Sequence, residues 1–126
     1  MPENQGLTEY ERRVTAAERF FARSPFAIVT IVARIRGTVT VEMLRSAVTR
    51  IQQRHALLRV RIEARSDHAL WFTSRGVQEI PIEVVARKSE NDWIETHARA
   101  SRMPFEFDTR PAIRFVLVHA PDRSEV

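Results

Sequence analysis

The stretch Phe26-Ala-Ile-Val-Thr-Ile-Val-Ala-Arg-Ile-Arg36 leaves this chain few ways to fold. It is too β-branched and too continuous for a surface helix, because such side chains lose rotamer freedom there and pack well on a pleated surface. One face is wholly apolar (Ala27, Val29, Ile31, Ala33, Ile35). The other opens on Phe26 and Ile28 and turns polar at Arg34 and Arg36. The pattern predicts a central strand, buried on both faces for most of its length.

The flanking segments fall into helix and strand periods by turns. Thr8-Glu9-Tyr10-Glu11 has capping-box form, and Leu7, Tyr10, Val14, Ala17 and Phe21 follow at helical spacing. A helix over about 8–22 is expected, stopped by Ser24-Pro25. Gly37 breaks the strand, and Thr40 caps a second helix whose stripe is Val41, Leu44, Ala47, Val48 and Ile51. That helix ends near His55. Leu58 to Glu63 alternates as a strand, with Leu58, Val60 and Ile62 inward, and a turn at Arg65-Ser66-Asp67 leads to a hairpin partner at Ala69–Thr73. Ile80–Ala86 reads as a short strand. Ser89-Glu90-Asn91-Asp92 caps a third helix carrying Trp93, Ile94, Ala98 and Ala100. Ala112–His119 is a strongly apolar strand followed by a Pro121-Asp122-Arg123 turn.

The order α-β-α-β-β-β-α-β is that of an α/β fold, a mixed-sheet two-layer sandwich with short connections. A turn after a core strand normally feeds a hairpin partner, which here would begin at about Ser124 with little room before Val126. An uncovered apolar strand is an aggregation hazard. The chain is therefore expected to be an interrupted piece.

Composition narrows the chemistry. Hydrophobic residues make up 44% of the 126, which suits a globular core. With no cysteine, disulfides and cysteine–zinc sites are excluded, and a reducing cytoplasm is the expected compartment. Met1 to Gln5 is polar and acidic, unlike a signal peptide, and no apolar run suits a membrane span. The net charge of +4 is spread along the chain beside acids, with no like-charge block, so a nucleic-acid partner is not expected. Isolated Gly6, Gly37 and Gly76 exclude phosphate-binding glycine loops.

Three stretches, in order, resemble the superfamily of non-ribosomal peptide condensation domains, polyketide-associated acyltransferases and chloramphenicol-acetyltransferase-like enzymes. The first is Leu7-Thr8-x-x-Glu11 with the Phe26–Arg36 strand and Gly37. The second, Leu44-x-x-Ala47-Val48 leading into Gln53-Arg54-His55-Ala56-Leu57-Leu58-Arg59-Val60-Arg61-Ile62, is similar to the family's RHxxLRTRF segment. The third, Pro104-Phe105-Glu106-Phe107-Asp108-Thr109-Arg110-Pro111-Ala112-Ile113-Arg114, is similar to PFDLxxGPLLR. Val60 stands where many condensation domains carry Thr, and Glu106 replaces the usual Asp, which points to a divergent or stand-alone acyltransferase.

The resemblance implies a parent enzyme moving an acyl group from a carrier-protein or coenzyme A thioester to an amine or alcohol, in non-ribosomal peptide or polyketide biosynthesis. It implies a catalytic histidine in an HHxxxDG motif, which this chain lacks, so no catalytic residue is assigned here and the piece alone should be inactive. Arg59 is the one residue carried over, as the structural partner of that motif's Asp, since a forked guanidinium holds a carboxylate at two points. No cofactor is expected on this piece; the parent would use coenzyme A or a phosphopantetheine-linked donor. The implied partners are the remainder of the same enzyme and an acyl carrier protein, with no membrane.

The histidines carry plainer readings. His55 suits a helix C-terminus, His119 a strand end, His68 a turn, and His97 rides a helix with no partner at ligand spacing, so no metal site is expected. Trp71, Trp93 and the phenylalanines read as core. A rival reading is a non-enzymatic α/β module that binds a partner along an open strand edge.

Overall fold

The structure, a computed structural model, describes residues 7–24 and 27–126. The polar stretch Met1–Gln5, Gly6, the helix stop at Pro25 and the strand start at Phe26 lie outside the described residues.

The first capping box forms at Thr15, not Thr8. The Thr15 hydroxyl accepts from the Glu18 amide at 3.2 Å, and the Glu18 carboxylate accepts from the Thr15 amide at 2.8 Å. This starts helix α1, Ala16–Arg23. Upstream, Glu11–Arg13 is strand β1, paired antiparallel with β4, Leu70–Thr73. The Val14 amide donates to the Leu70 carbonyl at 2.9 Å, and Val14 becomes core. Tertiary pairing thus overrides the local helix signal at residues 8–14.

Two sheets result. The first has the order β1-β4-β3, with β3 spanning Arg61–Ala64, and is antiparallel throughout. The expected hairpin between β3 and β4 is present. The second has the order β2-β7-β6-β5, with β2 at Arg34–Arg36, β5 at Ile82–Ala86, β6 at Phe115–His119 and β7 at Arg123–Glu125. β5 and β6 are parallel and are bridged in sequence by helix α3, Asp92–Arg102; the other two pairings are antiparallel. Helix α2, Val41–Arg54, starts at Thr40, whose hydroxyl accepts from the Met43 amide, and ends at His55 as its spacing predicts. At α3 the N-cap is Asn91, within the expected capping run though without a side-chain cap bond, while the Asp92 carboxylate gathers the Ser89 amide and hydroxyl at 2.9 and 2.8 Å.

The long strand expected over 26–36 is not formed. Only Arg34–Arg36 pairs, and Val29 and Ile31 are 84% and 83% exposed. The reason is the partner: β7 reaches β2 at Arg34–Arg36, with Ala33 and Val126 exchanging both backbone bonds at 2.8 and 2.9 Å. The backbone of 28–32 makes no hydrogen bond with other described residues. At the other end, Gly37 adopts φ 101°, a left-handed conformation that glycine enters without a Cβ penalty, and donates to the Asp122 carbonyl at 2.7 Å.

Two further expectations are corrected. Leu58 and Arg59 belong to a 3-10 turn, Ala56–Arg59, rather than to a strand, because the Leu58 amide folds back to the His55 carbonyl at 3.0 Å. The hairpin partner of the last apolar strand does exist as β7, but it pairs only Val118 and His119.

The core centres on β6 and the buried ends of its neighbours: Leu117 is fully buried, and Val118, Val60 and Ile80 nearly so. Charge is organised against the first sheet. Glu11 accepts from Arg65 at 2.9 Å and from Arg75 and Thr73, and these arginines hold its carboxyl down at about 2, against an ordinary 4.5. The Arg12 fork, with help from the Thr15 amide, holds Glu18 at about 2 as well. Both carboxyls are depressed by folding, so their contribution is complete above pH 4.5 and is lost as pH falls from 4.5 to about 2. Acid titration followed by circular dichroism should show stability falling through that window, and Glu11→Gln, which resembles the protonated form, should start from a lower plateau and lose less across it. An unchanged acid limb in that variant would remove the role given to Glu11.

Candidate functional site

The segment Pro104–Pro111 organises the candidate site. It is tied to the first sheet by the Ile62 amide, which donates to the Phe107 carbonyl at 2.6 Å, and to the segment after β4 by the Gln78 amide on the Thr109 carbonyl at 2.8 Å. It is tied to α3 by Arg114, whose guanidinium donates to the carbonyls of Ala100, Met103 and Pro104. The three carbonyls lie at or just past the end of α3, where a cation also meets the negative end of the helix. The same guanidinium stacks over Phe105 at 4.6 Å, and burial lowers its pKa. Sequence reading placed Arg114 in the third motif and in the 112–119 strand; β6 begins at Phe115, directly after it, and no local pattern marks this clamp.

Phe105 thereby sits at the meeting of two grooves. One, of about 610 Å³, is walled by Phe21, Ile28, Ile62, Phe72, Phe107 and Ala112, with Glu18, Arg23 and Arg102 among its lining. The other, of about 510 Å³, runs between the 28–33 segment and β6, over Trp93, Thr96, His97 and Ala100 of α3. Both are largely apolar with a few charged groups, a lining suited to an extended, mostly apolar ligand or chain.

Arg59 stands apart from these grooves at the end of α2. One of its terminal nitrogens donates to the Gln52 and Gln53 carbonyls at 2.9 and 3.3 Å, while the Gln52 amide returns a bond to the Leu58 carbonyl at 2.8 Å. The side chain is half-buried and caps the helix, rather than standing exposed on a strand face. Its Nε and other terminal nitrogen take no partner among the described residues, and no described carboxylate lies within salt-bridge distance. A guanidinium has five N–H donors, so most of the fork remains for a further acceptor.

The second sheet holds an ion pair that sequence reading missed. Glu125, 4% exposed at its side chain, accepts from Arg87 Nε at 3.2 and 3.1 Å and faces Arg34 at 3.5 Å. Arg34 also lies over the Trp93 ring at 5.8 Å. The pairs are far apart in sequence and no local pattern links them.

The histidines lie on four different elements: His55 ends α2, His68 sits in the β3–β4 turn at φ 62°, His97 is on α3 and His119 ends β6. No group of three metal-ligating side chains forms among the described residues. Among them, too, no helix is long and apolar enough to cross a membrane.

No family model matches the chain, and no curated protein matches it in sequence. Among solved structures, the tallysomycin biosynthesis protein TlmII superposes with a TM-score of 0.64 at 19% identity, covering 92% of this chain and 32% of that one. The starter condensation domain of rhizomide synthetase RzmA gives 0.62 at 15% identity, with 86% and 27% covered. Holo-AB3403, a four-domain nonribosomal peptide synthetase bound to AMP and glycine, gives 0.63 at 11% identity, with 98% and 10% covered. The likeness is one of fold: this α/β chain has the fold of part of a condensation domain, and it spans about a third or less of the structures it matches.

Proposed function

We propose that the chain supplies the first part of the first lobe of a condensation-type acyltransferase, which moves an acyl group from a carrier-protein or coenzyme A thioester to an amine or alcohol. The observation that carries this reading is the superposition over 92% of the chain on a biosynthesis protein, matched by condensation-domain structures over similar shares. In this reading the groove at Phe105 is a wall of the acyl or acceptor channel. The acid–base chemistry belongs to a histidine supplied by the rest of the parent, and the acyl carrier protein and that remainder are the partners.

Arg59 is then a positioning residue. Its fork is anchored on one side by the α2 carbonyls and is open on the other, which suits a carboxylate on a catalytic loop. A loop released by its loss would misplace the reacting groups, and such misplacement costs about a hundredfold in rate. In the full-length parent, Arg59→Ala should lower turnover of a phosphopantetheine thioester by about that factor with melting temperature little changed, and Arg59→Lys should recover only part of it. Full activity in Arg59→Ala would sink the role. A full-length parent with no acyl transfer from either thioester would sink the functional reading itself.

A second reading, a non-enzymatic partner-binding module, is favoured by the exposed apolar segment at 28–33.

A further inference from the structure

Each of the two sheets ends on two outer strands, β1 and β3 in the first, β2 and β5 in the second. Three of these edges are guarded. On β3 the Ile62 amide is taken by the Phe107 carbonyl. β1 is made of charged residues, and its Arg13 carbonyl accepts from the Arg12 guanidinium at 3.1 Å. β2 is three residues long and carries Arg34 and Arg36. Cover, charge and shortness are the devices that keep a sheet edge from pairing with another chain. β5, Ile82–Ala86, is longer, and its one charged side chain, Glu83, is turned to Arg99 of α3 at 2.7 Å.

The ladder to β6 fixes which groups β5 leaves open. The Phe115 amide donates to the Pro81 carbonyl at 3.0 Å, and the Arg87 amide to the His119 carbonyl at 2.7 Å. In a parallel pair the bonding positions recur at every second residue, so the backbone of Glu83 and Val85 also faces β6. The N–H and C=O of Ile82, Val84 and Ala86 point to the outer edge, where no described residue bonds to them. All three side chains are apolar, and Val84 is 49% exposed. Charge is polarised along the strand. Glu79, exposed and only 3.8 Å from the equally exposed Arg45 of α2, precedes it, and the exposed Lys88 follows it.

We propose that β5 pairs with β5 of a second copy of this chain, antiparallel about a two-fold axis at Val84, joining the two four-stranded sheets into one. Val84 of one copy then lies opposite Val84 of the other, and Ile82 opposite Ala86. Every outward N–H meets an outward C=O, because the open positions on both strands are the same three. Carried past the strand ends, the register sets Lys88 beside Ile80 of the other copy, next to its Glu79. This match of basic end to acidic end, made twice by the two-fold axis, selects a second copy over a foreign strand. A parallel pairing would set like ends together. No residue of β5 lines either groove at Phe105, so the pairing leaves both open. The proposal rests on strand geometry and holds whether or not the acyl-transfer reading does.

Sedimentation velocity and amide exchange by NMR test this on the full chain from about 10 µM to about 1 mM, since an interface this small is a weak one. The expected result is a monomer–dimer equilibrium. Exchange of the Ile82, Val84 and Ala86 amides slows about tenfold or more with concentration, while Glu83 and Val85, bonded to β6, stay protected throughout. Val84→Pro removes an outward N–H and no bond to β6. It should weaken the dimer about thirtyfold, the loss of two N–H···O bonds, with the melting temperature in dilute solution little changed. If proline there disrupts the strand, Val84→Lys, which sets two like charges face to face, gives the same readout. Glu79→Lys and Lys88→Glu should each weaken self-association by about tenfold, and mixing the two variants should restore it, because acid again meets base at both ends. A monomer at every concentration, or a dimer whose Val84 amide exchanges freely, would overturn the proposal. So would a chain that is monomeric alone but whose Val84 amide is protected by an unrelated Val/Thr peptide, which would assign the edge to a foreign strand.

Discussion

Glu125→Ala is expected to lower the unfolding free energy by about 3–5 kcal/mol, the usual cost of orphaning one member of a buried ion pair. The side chain is 4% exposed and is the only described carboxylate within reach of Arg87, itself 9% exposed. Arg87 already has one terminal nitrogen without a partner, so alanine at 125 would leave its guanidinium buried with no acceptor. A small domain holds only about 5–15 kcal/mol in all, so the variant should lose a large share of its stability. Urea melts would measure the loss. The double variant Glu125→Ala, Arg87→Leu should recover much of it, because the stranded charge is then gone. A single-variant loss below about 1 kcal/mol, typical of surface pairs, would show the pair to be solvated.

Leu117→Ala comes next, at about 2–5 kcal/mol, the range for emptying a fully enclosed leucine site. Leu117 has no exposed surface and sits on the strand against which β5 packs in parallel. Ile31→Ala is its natural comparison. At 83% exposure, Ile31 should cost no more than about 0.5 kcal/mol. Equal losses at the two positions would mean that the 27–33 segment is packed in solution.

Where local signals and tertiary pairing agree, the sequence is readable. Thr40, the apolar stripe and His55 delimit α2, and the alternation around Ile62 and Phe72 with a polar turn between delimits the hairpin. Elsewhere two local answers compete. Thr8–Glu11 and Thr15–Glu18 are equally good capping boxes, and only the pairing of β1 with β4 selects the second. The 26–36 run shows a different limit: hydrophobic patterning reports what a segment needs to be covered by, not how far the covering strand extends. Leu58, Val60 and Ile62 keep a period of two, yet the chain enters the strand only at Arg61, after the Arg59 and Gln52 bonds that tie the connection to α2. At the candidate site the type of residue at 59 was legible and its setting was not. The clamp at Arg114 and the pair at Glu125 join positions whose sequence neighbours carry no mark of each other.

The pairing of Arg34 with Glu125 has a consequence for synthesis. Some ninety residues separate β2 from the strand that binds it. At about 5–20 residues per second of translation, β2 waits roughly 5–20 s for its neighbour, its pairing edge at Arg34–Arg36 open throughout. The first sheet needs only Thr73 to have emerged and forms well before that. The nascent chain therefore passes through a stage with one sheet closed and the edge of β2 unpaired, the stage at which a chaperone or premature association with another chain would act.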